Sequence, residues 1–166
     1  MKTAIITISV MMMLISTSWS GQNVHNFRLK DIDNKWKQYT QLKGEKLTVL
    51  DFWATWCSPC AKAIPKLNDI YKKYQDKGVQ FLGINIDSQK NNAKITPFVK
   101  AYKIPYPVLK DPNSQLASHL NVTNIPTLLI INSENEVIYR HQGYRFGDEE
   151  IIEEAISKLL EDLPNE

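Results

Sequence analysis

Cysteine is scarce in this chain: Cys57 and Cys60 are the two it has among 166 residues. That excludes a scaffold stapled by several disulfides and a zinc site built from thiolates alone. No second Cys-x-x-Cys and no His-x-x-x-His stands by to complete a metal site, and His25, His119 and His141 are scattered singles. Ala61 follows Cys60 where a haem-attachment motif carries histidine. An excess of one charge is also missing. Lysine and arginine total 20 against 18 acids, a formal charge of +2, and the lysines are dispersed among acids. Nothing here suits a polyanion, so no nucleic-acid partner is expected. There are no internal repeats and no low-complexity segment. The chain is long enough for one domain with a sizeable core.

No apolar run reaches the 18 or so residues that a membrane span needs. The nearest approach is the N-terminus. Lys2 supplies a positive charge, residues 4–15 are apolar except for Thr7 and Ser9, and the small polar stretch Ser16-Thr17-Ser18-Trp19-Ser20 follows. This is the order of a secretory signal, with Ser18 and Ser20 at the small positions ahead of Gly21. Residues 1–20 are therefore expected to be a signal peptide or an uncleaved membrane anchor, with residues 21–166 as the working domain. No cysteine follows the apolar run, which excludes a lipid-modified N-terminus.

Along the remainder, "NFRLKDIDNKWKQYTQLKGEK" alternates around a turn signal at Asp31–Lys35 and predicts a short hairpin, Phe27 and Leu29 on one arm and Trp36 on the other. "LTVLDFWA" (47–54) is a continuous apolar strand interrupted by Asp51, as expected of a strand buried on both faces. Ala61, Ile64, Leu67, Ile70, Tyr71 and Tyr74 fall at helical steps within 58–77, Pro65 should kink that helix and Gly78 should end it. "VQFLGINID" (79–87) is a second strand. A helix at 91–103 follows, with Pro97 near its first turn and Phe98, Val99 and Tyr102 inward. "IPYPVLKD" reads as an extended link and 113–120 as a short helix. "TLLII" (127–131) pairs through the turn "NSENE" with "VIYRHQG". Residues 148–160 form an amphipathic helix with Ile151, Ile152, Ala155, Ile156 and Leu159 on its apolar face. Strands alternating with helices predict an α/β fold with a largely parallel sheet covered on both faces, to which the final hairpin adds antiparallel strands at one edge.

The cysteine pair lies where a buried strand turns into a helix. Partial positive charge and unpaired N–H groups at a helix N-terminus favour a thiolate over a thiol. Thiol–disulfide exchange requires that thiolate. Cys57, at the exposed tip, is the expected nucleophile. Cys60, one turn on and facing inward, is placed to attack a mixed disulfide. Pro59 suits the first helical turn, where a missing N–H does no harm. A disulfide closing so short a loop constrains the unfolded chain little, so the pair makes a poor staple. Metal ligation and two inert core thiols are the competing readings.

"VLDFWATWCSPC" resembles the active-site segment of thioredoxin-like proteins, and "NIPTLLII" resembles their cis-proline loop. The N-terminal hairpin, the helix carrying "PFVKAYKIPYPVLKD" and the signal segment together resemble the TlpA-like branch of exported thiol–disulfide oxidoreductases, over residues 22–162. The resemblance implies a thioredoxin fold: a central mixed sheet with helices on both faces, an N-terminal β-hairpin and an inserted helix. It implies a cis Ile125–Pro126 peptide beside the cysteines, with the Ile125 backbone pairing to an extended partner segment. Asp51, six residues before Cys57, matches the buried acid of thioredoxins. An unpaired acid in a buried strand is driven towards its neutral form, and such a group can accept the Cys60 proton. Trp53 becomes a core wall. Trp56, Ser58, Pro59 and Ile125 become the substrate-contacting rim, and Lys62 and Lys66 a solvated face.

The Ser58-Pro59 dipeptide contains no histidine, which tilts towards a reductant, as the family resemblance does. The implied activity is reduction of disulfides in exported proteins, in cytochrome c maturation or on another thiol substrate, without a cofactor. A reductant in an oxidising compartment must be recharged, which implies a membrane thiol electron donor of the DsbD/CcdA type and a periplasmic location. A second reading is a redoxin-type thiol peroxidase. Thr55 stands near Cys57 for it, but no arginine lies between Arg28 and Arg140. A third is a non-enzymatic binding module whose disulfide reports redox state.

Overall fold

A computed structural model describes residues 21–163; the proposed signal segment lies outside the described residues. Among the described residues no helix is long and apolar enough to cross a membrane. The hairpin forms from β1 (Arg28–Asp31) and β2 (Trp36–Gln38), which pair antiparallel, and the Asp31 carboxylate accepts the Asp33 and Lys35 N–H groups at 2.9 and 2.8 Å to close the turn. A one-turn helix, α1 (Tyr39–Leu42), leads to β3 (Leu47–Trp53), which is buried along its whole length as its apolar run predicts.

The helix α2 (Ser58–Tyr74) runs unbroken through Pro65, an exposed position, and the chain turns at Gly78 with φ 81° into β4 (Val79–Asn85). That left-handed conformation is open to glycine at little cost. The inserted helix α3 (Asn92–Ala101) carries Pro97 in its middle and not in its first turn. Residues 104–111 are not a plain link, for Val108–Lys110 form a strand, β5. The short helix α4 (Gln115–His119), the strands β6 (Thr127–Ile131) and β7 (Val137–Gln142) and the helix α5 (Asp148–Glu161) complete the chain.

All seven strands join one sheet in the order β2-β1-β5-β4-β3-β6-β7. Only β5-β4-β3 are parallel to one another; every other pairing is antiparallel. The sheet is thus mixed, as the resemblance implies, with its parallel strands at the centre, the expected antiparallel pair at the β7 edge and antiparallel strands at the β2 edge as well. The reason is β5: its three residues give β1 an edge to pair with, which draws the hairpin into the sheet. Three residues carry no periodicity from which a strand can be read.

Alternation along the central strands builds two cores. Leu47 and Val49 of β3 pack with Phe81 of β4 against Ala63 and Leu67 of α2 and Ile152 and Ile156 of α5. Leu50 and Phe52 pack with Leu82 and Ile84 against Leu116 and Ala117 of α4. Burying each such large side chain contributes roughly 2–3 kcal/mol relative to exposure. Ile151 was expected in the α5 apolar face but is 51% exposed, since α2 meets the neighbouring side of the helix through Ile152 and Ile156. Phe98 and Tyr102 are half-buried, while Ile95 and Val99 carry the contact of α3 with Trp53, Ile64 and the cysteine pair.

Candidate active site

Cys57 is the N-cap residue of α2, extended at φ −86° and ψ 99°, and its sulfur accepts the Cys60 N–H at 3.2 Å. The two sulfurs are joined in a disulfide. Pro59 occupies the first turn, as its lack of an N–H allows. Ser58, Pro59 and Trp56 are exposed, Trp56 to 62%. Cys57 is less open than its place at the tip suggested, with 5% exposure against 1% for Cys60. The exposed rim is formed by the residues beside it.

The turn that delivers Cys57 is clamped to the end of β4. Asp87, buried, accepts the Thr55 N–H at 2.7 Å, the Thr55 hydroxyl at 2.8 Å and the Asn85 amide at 2.8 Å. The Cys57 N–H donates to the Ala54 carbonyl at 3.1 Å. Asp87 was not among the residues read from the sequence; "NID" at the end of a strand was the signal, and nothing local ties it to Thr55.

Asp51 points to the α2 side of the sheet, between Val49, which packs with Ala63 and Leu67, and Trp53, which packs with Cys60 and Ile64. It is 2% exposed, and burial pushes its carboxyl up to about 7, against a smaller downward pull from the Tyr106 hydroxyl. Neither Asp51 Oδ2 nor the Tyr106 hydroxyl has a hydrogen bond of normal geometry among the described residues. Trp53 lies flat against Phe98 of α3, ring centroids 4.9 Å apart, and walls the site from the sheet side.

The Ile125–Pro126 peptide is cis. Ile125 packs against the cluster that holds both cysteines, and the Pro126 carbonyl accepts the Gly143 N–H at 2.8 Å. Fold and loop therefore bring Cys57, Cys60 and Ile125 into one cluster, with Asp51 buried on the same side of the sheet and Pro126 buried next to Ile125. Gly143 opens the loop 143–147, whose Phe146 is 92% exposed. A shallow apolar groove between Trp56 and Pro97, Phe98 and Ala101 of α3, with Tyr102 just beyond it, adjoins the rim. Lys62 is solvent-exposed, and Lys66 meets Glu149 of α5 at 3.6 Å.

Thr55 and Arg140 do not gather around Cys57. The Thr55 hydroxyl serves Asp87, and the Arg140 guanidinium donates to the Leu120 carbonyl at 2.8 Å and to Gln22 at 3.2 Å. Among the described residues no cluster of His, Cys, Asp and Glu suits a metal ion.

The pattern of the AhpC/TSA family matches residues 20–140. The chain belongs to that family. Within it, the chain is 32% identical to thiol-disulfide oxidoreductase ResA of Bacillus thuringiensis subsp. konkukian (strain 97-27), over 84% of this chain and 78% of that protein. It is 34% identical to ResA of Bacillus subtilis (strain 168), over 71% and 64% respectively. Among solved structures it is similar to a thiol:disulfide interchange protein of the thioredoxin family from Chlorobium tepidum TLS, with TM-score 0.71, 26% identity and coverage of 84% of this chain and 97% of that one. This AhpC/TSA member is thus a TlpA-like protein of thioredoxin fold and a thiol–disulfide oxidoreductase, with the Cys57–Cys60 pair as its redox centre.

Proposed function

We propose that the protein reduces disulfides in exported proteins, with Cys57 as nucleophile, Cys60 as resolving thiol and Asp51 as proton acceptor. The observation that carries this reading is Cys57 at the α2 N-cap, its sulfur held on the Cys60 N–H, with a buried acid in the strand that leads to it. Reduced, the Cys57 thiolate is stabilised by that N–H and by the helix field. It attacks one sulfur of a substrate disulfide, and the other substrate sulfur leaves with the bonding electrons. Cys60 gives its proton to Asp51 and attacks Cys57 Sγ. The mixed disulfide breaks, the substrate leaves as a dithiol, and the protein is left oxidised. Trp56, Ser58, Pro59 and Ile125 form the contact rim, and Pro126 closes the site beside Ile125.

The absence of histidine between the cysteines supports the reducing direction. The signal-like residues 1–20 support export to a periplasmic or equivalent compartment, with those residues cleaved or kept as a tether. There the oxidised pair needs re-reduction by a membrane thiol donor, for which the DsbD/CcdA type is the fitting class. An apocytochrome c presenting a haem-site disulfide is a fitting substrate.

Reduction of insulin disulfides by the reduced protein tests the reading, with activity lost in Cys57→Ser. Cys60→Ser should accumulate a mixed disulfide whose partner, identified by mass spectrometry, is the natural substrate. A reduction potential of the Cys57–Cys60 couple near that of strong oxidants, about −120 mV, would overturn the reducing direction.

A further inference from the structure

Asp51 accepts a proton only in its ionised form, and a buried carboxylate needs a donor or cation to stabilise that form. No cation is placed to do so among the described residues. Its strand partners are Gly83 on β4 and Leu128 on β6. Lys62 and Lys66 of α2 face solvent, and His141, opposite Leu128 on β7, is joined to Asp148 at 3.2 Å. Cys57 and Cys60, on the same side, are tied in their disulfide.

What does face Asp51 is Tyr106, just ahead of β5, with 4% exposure. Its ring is fixed between Tyr71 and Phe81, with centroids 5.4 and 5.6 Å away, and the Gly83 N–H holds the adjacent Pro107 carbonyl at 2.9 Å. Gly83 makes the room. A Cβ there would lie 3.0 Å from Trp53 Nε1 and 3.4 Å from the Tyr106 ring. Around this one glycine stand three buried polar groups without hydrogen-bond partners: Asp51 Oδ2, Trp53 Nε1 and the Tyr106 hydroxyl. So many unpaired groups in one place are unusual in a folded core. Two of them are complementary, an acceptor and a donor.

We propose that Tyr106 is a positioning residue for disulfide exchange, its hydroxyl donating to the ionised Asp51 carboxylate and so keeping Asp51 able to take the Cys60 proton. The inference rests on the reading of Asp51 as the proton acceptor. In the resolving step the Cys60 S–H proton goes to Asp51, a Cys60–Cys57 bond forms, and the electron pair of the broken mixed disulfide leaves on the substrate sulfur. The Tyr106 hydroxyl keeps its own proton throughout and acts only through Asp51.

The test is the carboxyl carbon resonance of Asp51, titrated by NMR in the oxidised parent and in Tyr106→Phe, beside the pH profile of insulin reduction by the reduced proteins. Loss of the hydroxyl should raise the Asp51 midpoint from about 7 towards about 8 and slow exchange about fivefold at pH 7, with the two proteins converging above about pH 9. Tyr71→Phe, which removes a hydroxyl from the same aromatic cluster, should move neither. An unchanged Asp51 midpoint in Tyr106→Phe, or an equal shift in Tyr71→Phe, overturns the inference and leaves the reductase reading standing. Insulin reduction and pH profile unaltered by Asp51→Asn would remove Asp51 as acceptor, and with it the catalytic part of this inference, while Cys57→Ser separately tests the reductase reading.

Discussion

Asp51 lies in the middle of β3 and Asp87 just past the end of the neighbouring β4, and both are buried, yet their surroundings are opposite. Asp87 accepts three hydrogen bonds, two from Thr55 and one from Asn85. Asp51 has one oxygen with none and holds its proton up to about 7. A third buried acid, Asp111, resembles Asp87: it accepts the Gln115 and Ala117 N–H groups at 2.9 and 3.0 Å at the start of α4. Burial alone therefore does not mark an acid as chemical or structural. The number of donors around it does. A carboxylate surrounded by donors is a fixed brace. One left short of donors stands near the balance between its two protonation states, where a proton acceptor is useful.

The sharpest way to break this contrast is to remove the braced acid. Asp87→Ala leaves the part-buried Thr55 N–H and the buried Asn85 amide unpaired, and should lower unfolding stability in urea at pH 7 by about 4 kcal/mol. Asp51→Asn should act in the opposite direction at high pH. Between the ordinary 3.8 and about 7 the folded protein holds a proton on Asp51 that the unfolded chain releases. That group's contribution to stability is therefore full below about pH 4 and falls as pH rises through about 7, by up to about 4 kcal/mol. Removing the charge, less a pH-independent burden of about 2 kcal/mol for a buried amide, should make Asp51→Asn about 2 kcal/mol more stable than the parent at pH 8 and about 2 kcal/mol less stable at pH 4. Equal effects at both pH values would erase the distinction between the two acids. Asp111→Ala should lower stability by about 1.5 kcal/mol through the start of α4, with insulin reduction unchanged. Thr55→Val, which deletes one of the Asp87 donors, should lower it by about 1 kcal/mol in the same urea titration.

Much of the fold was legible because its signals are local. The apolar runs of β3, β4 and β6, the helical spacing behind Cys57 and the Asp31 turn each lie within a dozen residues or so. The cysteine pair was legible for the same reason, since strand, turn and helix start are contiguous. β5 was missed because three residues between prolines carry no period, and with it went the reason the hairpin joins the sheet. The place of Pro97 in α3 and the exposure of Ile151 on α5 depend on which side of each helix meets its neighbours, and spacing leaves that open within a residue or two.

At the site the same division holds. Sequence by itself determined the chemistry available: two thiols one helical turn apart, an acid six residues before them, and a proline ahead of a strand. Tertiary structure decided how that chemistry is tuned. It set Cys57 beneath its rim, tied Thr55 to Asp87 across two strands, and turned Tyr106 towards Asp51 over the gap at Gly83. The physical reason is range. Backbone preference and side-chain period act between near neighbours in the chain, whereas desolvation and hydrogen-bond supply at a buried group come from whatever the packed fold brings against it.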